Sequence, residues 1–287
     1  MGLGQQTIII FITTFLLASC NNGEFNGGES LSNSNNKTNT SSVNAISKWP
    51  TSALGSNGIN LKISDRILEF YSDDKTQLNE IYAQWNNSVS GQKLLVDTPQ
   101  SIPNFEPSDL EDYGTDNTFG IYVSDSWFPD QDNFALAITQ YFGIRNIDGD
   151  LELVHGDIIL NNNSQFSYFT DLTLAAPDEY DLSSILLHEV GHFLGLGHQS
   201  FVAESVMQPT LSTFSVERTL YDLDRSSIQS IYEPSSSTTS LIASKVSSAK
   251  HEAPKNKIIR GVIKLMPDGL CQHYENDELV HQHFEEL

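Results

Sequence analysis

Residues 188–198 read His-Glu-Val-Gly-His-Phe-Leu-Gly-Leu-Gly-His, and no other stretch of the chain restricts its fold as tightly. The segment leading into it, Asp181-Leu-Ser-Ser-Ile-Leu-Leu, opens on an N-cap candidate and continues with apolar residues at helical spacing. On that helix His188 and His192 stand four residues apart, so they project from one face, one turn apart, within reach of a single metal ion. Glu189 is offset by one position. It does not join that pair as a ligand, but it can reach a water in the open position of the metal. Gly195 can adopt the left-handed conformation that ends the helix, and the chain can then turn back to deliver His198. Three neutral imidazoles plus one water make an open, catalytic zinc site rather than a closed structural one. In such a site Glu189 is the candidate general base.

The spacing HExxHxxGxxH resembles the metzincin clan of zinc peptidases, in which a Met-turn follows the motif. Glu204-Ser-Val-Met207-Gln-Pro209, with its methionine nine residues beyond His198, supplies that second half. The resemblance makes Met207 the methionine beneath the metal histidines. Within the clan the chain is most similar to the matrixins. Gly156–Asn161 resembles their edge strand, and Leu223–Tyr232 resembles their closing helix. The likeness is firm from about 181 to 232 and fainter back to 46. It implies an α/β (α+β) fold with a twisted mixed five-stranded sheet and about three helices. It also implies one catalytic zinc, cleavage of extended peptide segments, and a rim of the cleft formed by the strand at 154–160. Two departures are visible. Where the family carries an acidic run after the edge strand, this chain has Asn161, Asn162, Asn163 and Ser164. Neutral oxygens bind calcium more weakly, so a calcium site there is in doubt. His155 is the only histidine before the motif, so a second, structural zinc of the family's kind is not expected. His155 reads instead as a strand residue near the cleft.

Elsewhere the pattern is that of one globular domain over 46–234. Ile59–Ile67 alternates as a strand, and Lys75–Trp85 places Leu78, Ile81, Tyr82 and Trp85 on one helical face. Lys93–Val96, Phe119–Val123, Ala135–Tyr141 and Leu151–Leu160 are strand-like. This order suggests a mixed sheet with helices packed on it. The 287 residues carry 15 Lys and Arg against 37 Asp and Glu, a formal charge of -22. Such a surface repels phosphate backbones, which argues against a nucleic-acid partner. With two cysteines, Cys20 and Cys271, disulfides do not frame the fold.

The N-terminus reads as a targeting segment. An apolar run at 8–18 is about half the length that spans a bilayer, and it is followed by Leu17-Ala18-Ser19-Cys20. These four residues resemble the lipobox of bacterial lipoproteins. That likeness implies a signal peptide at 1–19, a lipidated Cys20 and an exported, membrane-anchored protein. The first ten residues lack the Lys or Arg with which export signals normally begin. Residues 20–45, rich in Asn, Gly, Ser and Thr, read as a disordered tether, and 235–256 as a Ser-rich linker. The last segment, 257–287, holds Cys271, His273, His281 and His283. It is expected to be a small strand-rich tail packed on the domain. A metal-binding appendage, or a thiol reaching the catalytic zinc, is a further reading. The sequence thus points to a monomeric zinc endopeptidase acting on protein or peptide substrates. The alternative in another class is a non-hydrolytic zinc-binding surface lipoprotein, and a third reading is a dedicated processing or self-cleaving enzyme.

Overall fold

The computed structural model describes residues 45–147, 149–199, 204–233, 257–267 and 270–284. Cys20, the signal segment, the tether up to 44 and the linker at 235–256 lie outside the described residues.

The architecture is a twisted mixed sheet with its α-helices on one face and a 3-10 turn at Leu110–Thr115 on the other. In chain order come α1 (Thr51–Leu54), β1 (Lys62–Ser64), α2 (Asp65–Phe70), α3 (Thr76–Asn87), β2 (Ser101–Ile102), β3 (Gly120–Ser124), β4 (Ala137–Arg145) and β5 (Leu151–Asn161). After the short strands β6 (Tyr168–Phe169) and β7 (Tyr180–Asp181) come α4 (Leu182–Phe193) and α5 (Asp222–Tyr232). The chain closes with β8 (Ile258–Leu265), β9 (Leu270–Glu275) and β10 (Glu278–Phe284). The main sheet runs β10-β9-β8-β4-β5-β3-β1-β2. Its β2-β1-β3-β5-β4 portion is the five-stranded sheet that the matrixin resemblance implies, and β8 to β10 continue it past β4.

Side-chain alternation explains how the sheet sits between two apolar layers. Ile121, Val123, Ile158 and Leu160 face the helices and join Trp85, Leu186 and Val190 in the larger core. Tyr122, Ile138 and Ile159 face the other way, into a smaller cluster with Tyr113, Trp127 and Phe128. Strand β8 obeys the same alternation, with Ile263 and Leu265 in the first layer and Val262 and Met266 in the second. It is thereby part of both cores.

Three expectations are corrected. Gly156–Asn161 belongs to β5, which pairs with β3 on one side and β4 on the other, so it is an interior strand and not the rim. The strand beyond it, toward the cleft, is β4. Both are long apolar runs, and their own residues do not encode which partner each finds. The strand over Ile59–Ile67 is confined to Lys62–Ser64, because Ser64 caps a helix there, its hydroxyl accepting the Ile67 N–H at 3.4 Å. Lys93–Val96 forms only the isolated bridge Ile59↔Leu95.

Candidate metal centre

Helix α4 is buried along its whole length. The Asp181 carboxylate accepts the Ser184 N–H at 3.1 Å and is itself held by Arg218 at 2.6 and 2.8 Å. The helix thus starts at a fixed point. Its far end is equally constrained: Trp49 Nε1–H donates to the Phe193 carbonyl at 2.7 Å and the Tyr232 hydroxyl donates to that of Leu194 at 2.8 Å. These contacts satisfy terminal carbonyls that a helix leaves unpaired.

Gly195 then reverses the chain at φ +100°. The Leu196 N–H returns to the Gly191 carbonyl at 3.0 Å, and the Gly195 carbonyl accepts the N–H groups of Ile46 and Ser47. A Cβ at position 195 would lie 2.1 Å from the Ser47 carbonyl oxygen. Glycine is required there by space as well as by backbone angle. The turn brings His198 back beside the helix.

The three histidines converge. Their rings are 4.5 Å (His188–His192), 4.6 Å (His192–His198) and 5.2 Å (His188–His198) apart, centroid to centroid. One ligating atom from each lies within 4.8 Å of the others. His188 Nδ1 donates to the Val206 carbonyl at 2.7 Å and His192 Nδ1 to that of Leu196 at 2.8 Å. Carbonyls only accept, so both rings carry the proton on Nδ1 and turn the Nε2 lone pair inward. His188 Nε2 is buried and has no protein partner, and His192 Nε2 lies 3.1 Å from His198 Nε2. Zinc–nitrogen bonds of about 2.0–2.1 Å in tetrahedral geometry put ligand nitrogens about 3.3 Å apart. The donor set therefore fits a zinc ion. Burial favours the neutral imidazoles such an ion needs: it lowers the His188 pKa to about 4 and takes that of His192 well below its ordinary value.

Glu189 is fully buried on the neighbouring face of the helix. Its Oε2 accepts the Thr139 hydroxyl of β4 at 2.5 Å, while Oε1 has no hydrogen-bond partner. Burial raises its pKa to about 8, against the opposing effect of the Thr139 hydrogen bond. Carboxylates are rarely buried so incompletely paired. Met207 is fully buried, and its sulfur would lie 2.3 Å from a Cβ at Gly191, the residue before His192. The Met207 carbonyl accepts the Gln199 N–H at 2.8 Å, next to His198.

Several supporting residues were invisible to motif reading. Thr139 reaches Glu189 from a strand 50 residues away. Asp224 of α5 accepts the Ser205 hydroxyl (2.5 Å), the Val206 N–H (3.0 Å) and the Tyr221 N–H (2.9 Å), fixing the segment whose carbonyl orients His188. Asp224 lies inside the recognised Leu223–Tyr232 stretch, yet nothing local marks it as buried. The Asn161–Ser164 run is engaged in its own loop: Asn161 Nδ2 donates to the Ala135 carbonyl and its Oδ1 accepts the Asn163 N–H. His155 Nε2 lies 2.8 Å from the Asp157 carboxylate and 3.3 Å from the Tyr113 carbonyl. The side chains of Cys271, His281 and His283 lie outside the described ones.

Beside His188 a pocket is lined by Ser184, Leu211, Glu217, Tyr221 and Leu265. The Tyr221 hydroxyl donates to Glu217 at 2.7 Å across it.

Comparison with known proteins follows the same residues. A family model described as Matrixin matches residues 67–233, more than half of the chain. Metalloendoproteinase 2-MMP of Arabidopsis thaliana is 44% identical over 62 residues, 22% of this chain and 16% of its own length. Metalloendoproteinase 4-MMP of the same plant is 44% identical over 69 residues, 23% of this chain and 20% of its own. The matches thus span a fifth or less of these relatives.

Proposed function

The chain belongs to the matrixin family of zinc-dependent peptidases, and on that premise we propose that it is an endopeptidase that hydrolyses extended protein segments, with Glu189 as general base. The observation that carries this reading is the convergence of three imidazole nitrogens beside a buried carboxylate with one oxygen unpartnered. His188, His192 and His198 would hold the zinc. When bound, the ion supplies Lewis acidity toward the scissile carbonyl and the attacking water.

The chain's own groups supply the rest. The Nδ1–H bonds to Val206 and Leu196 lock two of the ring tautomers and orientations. Thr139 anchors one oxygen of Glu189 and leaves the other to take the proton from water and pass it to the leaving amine. No covalent intermediate on Ser or Cys is needed. A non-hydrolytic zinc-binding module would have no use for Glu189 in this position. Export and lipid anchoring at Cys20, with a tether holding the domain away from the membrane, belong to the same proposal and rest on the sequence alone.

The test is zinc analysis together with digestion of unfolded proteins, with and without a chelator. About one zinc per chain and chelator-sensitive cleavage are expected, with Glu189→Ala binding zinc but cutting nothing. Stoichiometric zinc without cleavage in any form of the chain, including one freed of its C-terminal segment, would sink the peptidase reading.

A further inference from the structure

Strand β8 lies where a peptide bound beside this metal centre would have to lie. It pairs antiparallel with β4 from Ala137↔Leu265 to Ile144↔Ile258, on the side of β4 away from β5. That is the edge of the five-stranded sheet nearest the centre, because Thr139 of β4 bonds Glu189 and its cross-strand partner on β8 is Ile263. The end of the segment is gripped from both sides. The Leu136 N–H donates to the Leu265 carbonyl at 2.8 Å, and the Met266 N–H donates to the Pro209 carbonyl at 3.3 Å in a parallel bridge with Thr210. Between these bonds the Leu265 side chain is buried and lines the same pocket as His188. Extended peptides are bound by sheets in this way, with main-chain bonds to an edge strand for affinity and a side chain in a pocket for selectivity.

We propose that residues 258–266 are an intramolecular pseudo-substrate, occupying the protein's own peptide groove with Leu265 in the specificity pocket and closing it to other peptides. This rests on the peptidase reading for the identity of the groove, but the occupancy itself concerns binding. Residues 234–256 join the tail to α5. A tethered ligand of this kind acts at an effective concentration on the order of millimolar when its linker can span the sites, enough to exclude a dilute substrate. Strands β9 and β10 extend the cover, since β9 pairs with Gly261–Lys264 on the outer edge of β8. Gly261 offers a way to loosen the tail without touching the centre. A Cβ there would lie 1.9 Å from the ring of Tyr141, a buried side chain held by His273 at 2.6 Å.

The experiment uses the full chain in three forms: intact, Gly261→Val, and one with a specific protease site inserted between residues 240 and 250 that is cut after folding. Binding of a fluorescein-labelled peptide of sequence 258–267, added in excess, is followed by anisotropy in a Glu189→Ala background. Hydrolysis of an unfolded protein is measured in parallel with Glu189 present. The intact chain is expected to leave the peptide unbound, whereas the cut chain binds it and Gly261→Val does so when it folds. A Leu265→Asn version of the peptide should bind at least tenfold more weakly, and hydrolysis should rise at least tenfold on cutting. Equal peptide binding by intact and cut chains, or none by either the cut chain or a folded Gly261→Val chain, overturns the proposal. Peptide binding gained on cutting without hydrolysis in any form would uphold the pseudo-substrate and reject the peptidase.

Discussion

Asp224 and His188 are coupled through a single residue: the Asp224 carboxylate accepts the Val206 N–H, and the Val206 carbonyl accepts the His188 Nδ1–H. The carboxylate sits on α5 and the imidazole on α4, so the closing helix of the domain orients one of the three converging histidines. Asp224→Ala would leave the Ser205, Val206 and Tyr221 donors without their acceptor. It is expected to cost about 3 kcal/mol in urea unfolding of the zinc-free chain. Zinc affinity, measured by chelator competition, should fall about 10- to 100-fold, as for other groups that orient metal-bound histidines. An unchanged zinc affinity would remove Asp224 from the centre.

Thr139 makes a different demand, since its hydroxyl bonds the carboxylate of Glu189 and lies 3.3 Å from the carbonyl of the same residue. Thr139→Val keeps the shape and deletes the hydroxyl. With the carboxylate free to rotate, kcat is expected to drop about tenfold, part of the 10²–10⁴ that a positioned base supplies, while KM and zinc content stay as they were. Thr139→Ser should restore most of the rate. To avoid masking by the C-terminal segment, the comparison belongs in the cut chain.

Gly195→Ala tests the turn that returns His198. The substitution forces a side chain onto a backbone at φ +100° and against the Ser47 carbonyl. A loss of at least about 2 kcal/mol in unfolding free energy is expected, with zinc binding weakened because His198 is displaced. Should the variant retain wild-type stability, the turn would have another conformation in solution.

These residues also show how far the sequence could be read. Asp181, His188, His192 and Gly195 are legible because each does its work within a turn or two of its neighbours, where spacing translates directly into geometry, whereas Met207 stands out only through the metzincin resemblance, since it packs at Gly191, 16 residues back. The helix over Thr76–Asn87 declares itself the same way, and that over Asp222–Tyr232 through the matrixin resemblance of Leu223–Tyr232. What could not be read was set by partners distant in sequence. Strand β5 looks like any apolar strand until it pairs antiparallel with β4. Thr139 and Asp224 are ordinary polar residues until tertiary contacts bury them, and β8 carries no local sign that it will add to β4. The short reach of the strand at Ile59–Ile67 is the converse case, in which a local cap at Ser64 overrode the alternating pattern.

The buried pair His155–Asp157 yields a pH dependence independent of the metal. Burial raises the Asp157 pKa from 3.8 to about 6, even with His155 2.8 Å away and the Gly120 N–H donating at 3.0 Å. Burial alone would lower His155, but the hydrogen bond and charge of Asp157 outweigh it and raise its pKa above 6.5. Both groups hold protons more tightly in the folded chain than in the unfolded one, so the folded state binds more protons and stability falls as pH rises. The pair titrates as a unit, and the stability its two protons contribute is lost as pH rises from about 4 to above 6.5. Urea unfolding of the zinc-free chain across pH 4–8 should therefore show a downward contribution that His155→Gln/Asp157→Asn removes. A double variant whose pH profile merely parallels the parent's would show that the pair does not exchange protons on unfolding.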